Sequence, residues 1–69
     1  MTKEQIQQLY IRVCRDSGFQ LEYIQAAILT SRVIGCTALE IWLAFPSLGV
    51  MDEVARGLHP ATKVVHEAK

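Results

Sequence analysis

Between Tyr23 and Met51 the sequence carries only two charged side chains, Arg32 and Glu40, whereas the flanking segments are mixed in charge. This apolar block limits what the chain can fold into. A domain of 69 residues buries roughly 60% of the surface that its unfolded chain exposes. Because 51% of the residues are hydrophobic, some apolar surface must stay exposed or be shared with another chain. The sequence therefore predicts a protein that associates with other proteins.

The length predicts a single domain, residues 1–69. The charge balance argues against nucleic acid as the partner. Seven Lys and Arg residues oppose seven Asp and Glu residues, so the formal net charge is zero. Non-specific binding to nucleic acid depends on an excess of cationic side chains that neutralise phosphates. A polyanion is therefore not the expected partner.

The stretch 33–51 has about the length of a membrane-spanning helix. Glu40 places a charge near its middle, and Pro46 would interrupt a helix that spans it. Both residues argue against a transmembrane helix. No signal-peptide pattern precedes it. We expect a cytoplasmic protein without a membrane segment.

The cysteines and histidines raise the question of a metal site. Cys14, Cys36, His59 and His66 would supply four zinc ligands, but structural zinc sites usually space their ligands as close pairs. We interpret the cysteines as reduced, small core side chains and the histidines as surface residues. Neither a metal nor another cofactor is expected.

Side chains able to perform catalysis are scattered. Asp16 and Ser17 are neighbours but lie far from His59 and His66 in the sequence, and no glycine-rich phosphate loop follows a strand. We therefore expect no enzymatic activity.

Capping signals and apolar residues at helical spacing predict an all-α fold, a compact bundle of four or five short helices. Thr2 and Gln5 form a capping-box pattern at the start of the first helix, and Gly18 is its natural end. A second helix is expected to begin near Gln20.

The middle of the chain can be divided in more than one way. Thr30 and Ser31 are candidate caps for a helix over 31–44, which Gly35 would interrupt, and Thr37 begins a second capping-box pattern.

The remaining helix boundaries are clearer. Pro46 disfavours further helix, Ser47 caps a fourth helix that Gly57 ends, and Pro60 suits the first turn of a short fifth helix through Val65.

From Gly18 to Val65 the order of these signals resembles the helix-turn-helix core of Cro and phage-repressor DNA-binding domains. The matching residues are Gly18-Phe19-Gln20, Ile24, Ile28 and Ser31-Arg32 for that family's second helix and turn, and Pro46-Ser47-Leu48, Met51, Val54-Ala55 and Leu58 for its fourth helix. The resemblance implies a dimer that binds operator DNA, with Gln20, Ser31, Arg32 and Thr37 near the groove. The segment in the position of the recognition helix is apolar, however, whereas base readout needs Arg, Lys, Asn or Gln. DNA binding is therefore the alternative hypothesis.

The whole chain also resembles the small, neutral, helical proteins with which bacteriophages disable host regulators, among them the anti-quorum-sensing anti-activators of Pseudomonas phages. This resemblance implies a homodimer in the host cytoplasm that binds the DNA-binding domain of a transcriptional activator and blocks its access to DNA. It also suggests a second host target, such as a pilus-assembly ATPase.

The apolar block offers a candidate surface for such a partner. Leu39, Trp42 and Phe45 are three residues apart and would form one stripe on a helix. Aromatic residues and Arg dominate the binding energy of protein interfaces. The expected partner-binding residues are Tyr23, Arg32, Leu39, Trp42 and Phe45, with Ile6 and Tyr10 as alternatives on the first helix. A second interpretation, in which Trp42 and Phe45 fill the core, stays open. The leading hypothesis is a stoichiometric inhibitor that binds a regulatory protein and occludes its functional surface.

Overall fold

A computed structural model describes residues 1–60 of the chain, and within that range it contains four α-helices and no strand. The helices are α1 (Lys3–Asp16), α2 (Tyr23–Ile34), α3 (Ala38–Leu43) and α4 (Leu48–Ala55). The all-α prediction is confirmed. Apart from Pro60, the expected fifth helix lies outside the described residues.

Both ends of α1 lie close to where the sequence predicts them. The Thr2 hydroxyl accepts a hydrogen bond from the Gln5 backbone at 3.1 Å, and the Gln5 side chain accepts one from the Thr2 backbone at 2.9 Å. This reciprocal pair satisfies two backbone donors that a helix start leaves free. After Asp16 the chain turns through Gly18, whose φ of +72° lies in the left-handed region.

The start of α2 lies later than predicted. The helix begins at Tyr23 rather than near Gln20, and Glu22 is its N-cap residue. The Glu22 backbone donates a hydrogen bond to the Gln25 side chain at 3.1 Å.

The predicted helix start at Thr30 or Ser31 is wrong, because α2 continues through both residues to Ile34. Their hydroxyls donate to carbonyls one turn back, Thr30 to Ala26 at 2.7 Å and Ser31 to Ile28 at 2.6 Å. Bonded in this way, Thr and Ser fit inside a helix instead of capping a new one.

Gly35 is the real boundary within the predicted 31–44 helix. It ends α2 with a φ of +86°, a left-handed conformation that costs glycine no steric strain. The Thr37 hydroxyl then accepts a hydrogen bond from the Glu40 backbone at 3.3 Å and begins α3. Ser47 begins α4 in the same way, accepting from the Val50 backbone at 3.2 Å.

The core lies between all four helices. Its largest fully buried side chains are Tyr10, Cys14, Thr30, Ile41, Met51 and Val54. The Tyr10 hydroxyl donates to the Met51 carbonyl at 3.0 Å, which joins α1 to α4. None of the helices within residues 1–60 combines the length and the apolar composition that a membrane span requires.

Phe45 belongs to this core and not to an exposed stripe. Helix α3 ends at Leu43, and the following turn directs Phe45 inwards, where it is 9% exposed. Its ring packs edge to face on the Tyr10 ring, with centroids 4.9 Å apart. The expectation that Phe45 contacts a partner is therefore wrong, and so is the alternative that Tyr10 does, since Tyr10 is fully buried.

Candidate protein-docking surface

An apolar groove of about 470 Å³ runs between α2, α3 and the start of α4. We call it the α2–α3 groove. Its lining consists of Tyr23, Ile24, Ala27, Ile28, Ala38, Leu39, Trp42, Leu48 and Met51. None of these side chains is charged, and their hydrogen-bonding groups are the Tyr23 hydroxyl and the Trp42 indole N–H.

Large apolar side chains stand open along the walls of the groove. Ile24 is 54% exposed, Leu39 58% and Trp42 48%. Ala27 and Met51 are buried and form the floor. Single exposed apolar residues are common on protein surfaces, but these side chains are contiguous, which makes the groove a candidate interaction site.

The residue pattern of α2 explains why the groove stays open. The inward face of α2 carries Ala26, Ala27 and Thr30, which are small enough for neighbouring helices to approach closely. Ile24 and Ile28 lie one turn apart at the edge of that face and remain partly exposed. Because α2 is apolar on more than one side, a core of this size cannot cover it.

Three of the five predicted partner-binding residues meet in the groove, namely Tyr23, Leu39 and Trp42. Arg32 is exposed and lies on α2 one turn beyond Ile28, outside the lining. Of the alternatives on α1, Ile6 is partly buried against the core.

Sequence reasoning missed Ile24, Ile28 and Leu48 as exposed apolar residues of the site. Ile24 and Ile28 recur at the helical spacing of a core face, and this spacing alone does not distinguish them from buried residues. The available signal was the scarcity of polar residues on α2, where a surface helix normally has a polar face.

The residues of the alternative DNA-binding hypothesis do not form one polar surface. Gln20, Arg32 and Thr37 are exposed, but Ser31 is only 7% exposed and its hydroxyl bonds to Ile28. Ser31 is therefore excluded as a DNA contact.

The expected helix-turn-helix register is also wrong. Of the residues matched to that family's second helix and turn, Gly18-Phe19-Gln20 precede α2, whereas Ile24, Ile28 and Ser31-Arg32 lie within it. The turn to α3 begins only at Gly35. Helix α3 contains Ala, Leu, Glu, Ile, Trp and Leu, so it offers no Arg, Lys, Asn or Gln for base readout.

Both thiols have raised pKa values. Burial raises the pKa of the fully enclosed Cys14 thiol to about 11, although a hydrogen bond with Tyr10 partly offsets this effect. Burial and the neighbouring Glu40 carboxylate also raise the pKa of Cys36. Both cysteines are free, and residues 1–60 contain no group of three or more His, Cys, Asp or Glu side chains able to hold a metal. His66 lies outside the described residues.

No protein-family model, curated protein or solved structure matches this chain.

Proposed function

We propose that the chain is a non-enzymatic protein-binding module that acts as a stoichiometric inhibitor. It docks through the α2–α3 groove on a regulatory protein and occludes that protein's functional surface. The observation that carries this proposal is the uncharged groove, whose walls expose Ile24, Leu39 and Trp42 by about half.

The chemistry of the groove favours a helix as the bound element. Its walls are helices, so they offer a bound segment no open sheet edge to pair with. A segment that enters an uncharged groove must satisfy its own backbone donors and acceptors. An α-helix does so, and its apolar face would fit between α2 and α3 as amphipathic helices fit other hydrophobic grooves.

The energy available is adequate for a specific complex. Fully burying one Leu or Ile side chain contributes about 1.5 to 3 kcal/mol, so covering half of each exposed wall residue contributes roughly half that amount apiece. Trp42 is the largest of these residues, and aromatic residues are common at the centres of binding energy in interfaces.

The identity of the target rests on the resemblance to phage anti-activators. It points to the DNA-binding domain of a host transcriptional activator, which is itself helical in many regulators. Binding of the groove to a helix of that domain would block its access to DNA. The inhibitor would need no cofactor, and it would act in the host cytoplasm.

The experiment is a gel-shift titration of a quorum-sensing activator on its operator, with the purified chain added in increasing amounts. Wild type should abolish the shift near molar equivalence. Leu39→Ser should weaken the inhibition by about tenfold, because it removes an apolar contact from the groove wall. The matched control is Leu58→Ser, since Leu58 is also 58% exposed but lies outside the groove.

The docking proposal fails if both Ser variants inhibit as well as wild type does. Absence of inhibition by wild type would remove the activator as a target. A pull-down from host lysate with wild type, Leu39→Ser and Trp42→Ala then asks whether another protein binds the groove. Retention of the same proteins by all three would show that the groove is not used.

A further inference from the structure

A polar recess of about 380 Å³ continues the α2–α3 groove beyond Tyr23, which lines both. We call it the Glu22 recess. Its wall contains the carboxylates of Glu22 and Asp52 and the guanidinium of Arg56. Arg56 is paired with Asp52 at 3.2 Å, whereas Glu22 is exposed and has no ion-pair partner within residues 1–60. The recess therefore presents net negative charge at the Tyr23 end of the groove.

The other end of the groove carries a positive charge. The groove wall that α2 forms runs from Tyr23 to Ile28, and Arg32 lies one helical turn beyond Ile28. The Arg32 side chain is exposed, and no ion pair involves it in the part of the chain that the structure describes. Glu40 of α3 lies beside Cys36 and outside the groove lining. The groove is thus an uncharged channel between a carboxylate end and a guanidinium end.

We propose that the partner segment bound in the α2–α3 groove is an amphipathic helix antiparallel to α2, with an acidic side chain in its first turn at Arg32 and a basic side chain in its last turn at the Glu22 recess. This inference rests on the proposed function and gives the chemistry and the direction of the helix that the groove accepts. Glu22 and Arg32 are about 15 Å apart along α2, so the bound helix carries its two charges about ten residues apart. Apolar side chains one helical turn apart face the groove between these charges.

Two electrostatic effects favour this direction together. An acidic side chain near the N-terminus of a helix and a basic one near its C-terminus stabilise the helix itself. In the antiparallel direction, these same side chains face Arg32 and the carboxylates of the Glu22 recess. In the parallel direction, the acidic side chain would face the recess and the basic one would face Arg32. Antiparallel packing also opposes the dipoles of α2 and the bound helix favourably.

The charges set the direction of the helix, whereas the apolar lining supplies most of the affinity. An exposed ion pair changes a binding constant by about fivefold at most. Two attractive pairs in one direction and two repulsive pairs in the other therefore predict a preference of about tenfold.

Two synthetic peptides of identical composition test the direction. Each has about 14 residues, with leucines at helical spacing and a side-chain cross-link on the other face that keeps it helical. The first peptide carries Glu in its first turn and Lys in its last turn, and the second has the two exchanged. Trp42 is the single tryptophan of the chain and stands in the groove wall, so its fluorescence reports occupancy of the groove. The first peptide should bind the purified chain about tenfold more tightly than the second.

Charge reversal at the two ends of the groove is the matched control. The double variant Glu22→Lys/Arg32→Glu keeps the net charge and the apolar lining, and it should bind the second peptide more tightly than the first. This inversion separates the facing charges from any difference in helicity between the peptides. Arg32→Glu alone leaves the N-cap residue of α2 in place and should abolish the preference. Circular dichroism checks that both variants remain helical.

Salt gives an independent readout. The preference of the wild-type chain should disappear at about 1 M salt, where the Debye length falls to about 3 Å. Binding of the first peptide should persist there, because apolar contacts are not screened.

Equal binding of the two peptides to the wild-type chain overturns the inference, and so does a preference that the double variant does not invert. Failure of both peptides to change the Trp42 fluorescence overturns it as well. A change in that fluorescence on dilution of the chain alone would mean that a second copy fills the groove, which again contradicts the inference. The proposed function is tested separately, because the gel shift with Leu39→Ser depends on the groove and not on the direction of the bound helix.

Discussion

Tyr10 illustrates how much of this fold depends on a single side chain. It is fully buried, its hydroxyl donates to the Met51 carbonyl of α4, and its ring packs on Phe45 in the turn after α3. Burial raises the pKa of the phenol well above its usual range, so the hydroxyl remains a hydrogen-bond donor. Tyr10 thus connects α1 to α4 and to the turn that follows α3.

Replacing Tyr10 by Phe should lower the free energy of unfolding by about 1 to 3 kcal/mol, because a buried hydrogen bond is lost and no other group replaces the donor. Urea unfolding followed by circular dichroism measures the change. Tyr23→Phe is the control, since Tyr23 lines the groove and its hydroxyl has no hydrogen bond within the described residues. Equal effects of the two substitutions would contradict the role assigned to the Tyr10 hydroxyl.

Trp42 and Phe45 show why residue spacing alone could not define the candidate site. Both are aromatic and lie three residues apart, yet Trp42 is 48% exposed and Phe45 9%. The two side chains differ in exposure because α3 ends at Leu43, between them. The spacing of apolar residues does not reveal that boundary.

At the scale of helices, the capping residues predicted most of the architecture. Thr2, Thr37 and Ser47 each accept a backbone hydrogen bond at a helix start, as their side chains and positions indicated. The extent of α2 was harder to predict, because Thr30 and Ser31 have the chemistry of caps but bond to carbonyls of their own helix. Local residue type therefore allowed either a new helix that begins at Thr30 or Ser31 or a single continuous α2. Packing of α2 against the core decided for the continuous helix.

Two glycine substitutions should have opposite effects on stability. Gly35→Ala should destabilise the protein by about 1 kcal/mol, because alanine is strained at a φ of +86° even though its added carbon would meet no atom within 4 Å. Gly49→Ala lies inside α4, where the added carbon meets only the Ser47 hydroxyl at 3.7 Å. It should stabilise the protein by about 0.5 to 1 kcal/mol, since alanine loses less entropy in a helix.

Thermal and urea unfolding of the two glycine variants can be compared directly. A stabilising Gly35→Ala would show that the end of α2 does not need the left-handed conformation. A destabilising Gly49→Ala would show that α4 is more tightly packed at this point than the structure indicates.

At the scale of the whole molecule, charge and exposed apolar surface point to the same class of partner. The chain has no net charge, its groove lining is uncharged, and α3 lacks base-reading side chains. These properties favour the proposed protein partner over a phosphate backbone.

The chain should therefore show no binding to mixed-sequence duplex DNA, even at low ionic strength, where contacts with phosphates are strongest. Fluorescence anisotropy of a labelled duplex measures this. Binding that weakens steeply as salt increases would instead support the alternative of a DNA-binding regulator. Arg32→Glu would then identify whether the exposed cation of α2 contributes.

The sequence by itself determined the all-α class, the caps of α1, α3 and α4, and the excess of apolar residues between Tyr23 and Met51. These features depend on nearest neighbours along the chain and on composition, which a sequence displays directly. Only the tertiary structure decided which apolar side chains are enclosed. It placed Phe45 in the core and left Ile24, Leu39 and Trp42 on the groove walls, because burial depends on how helices distant in sequence pack together.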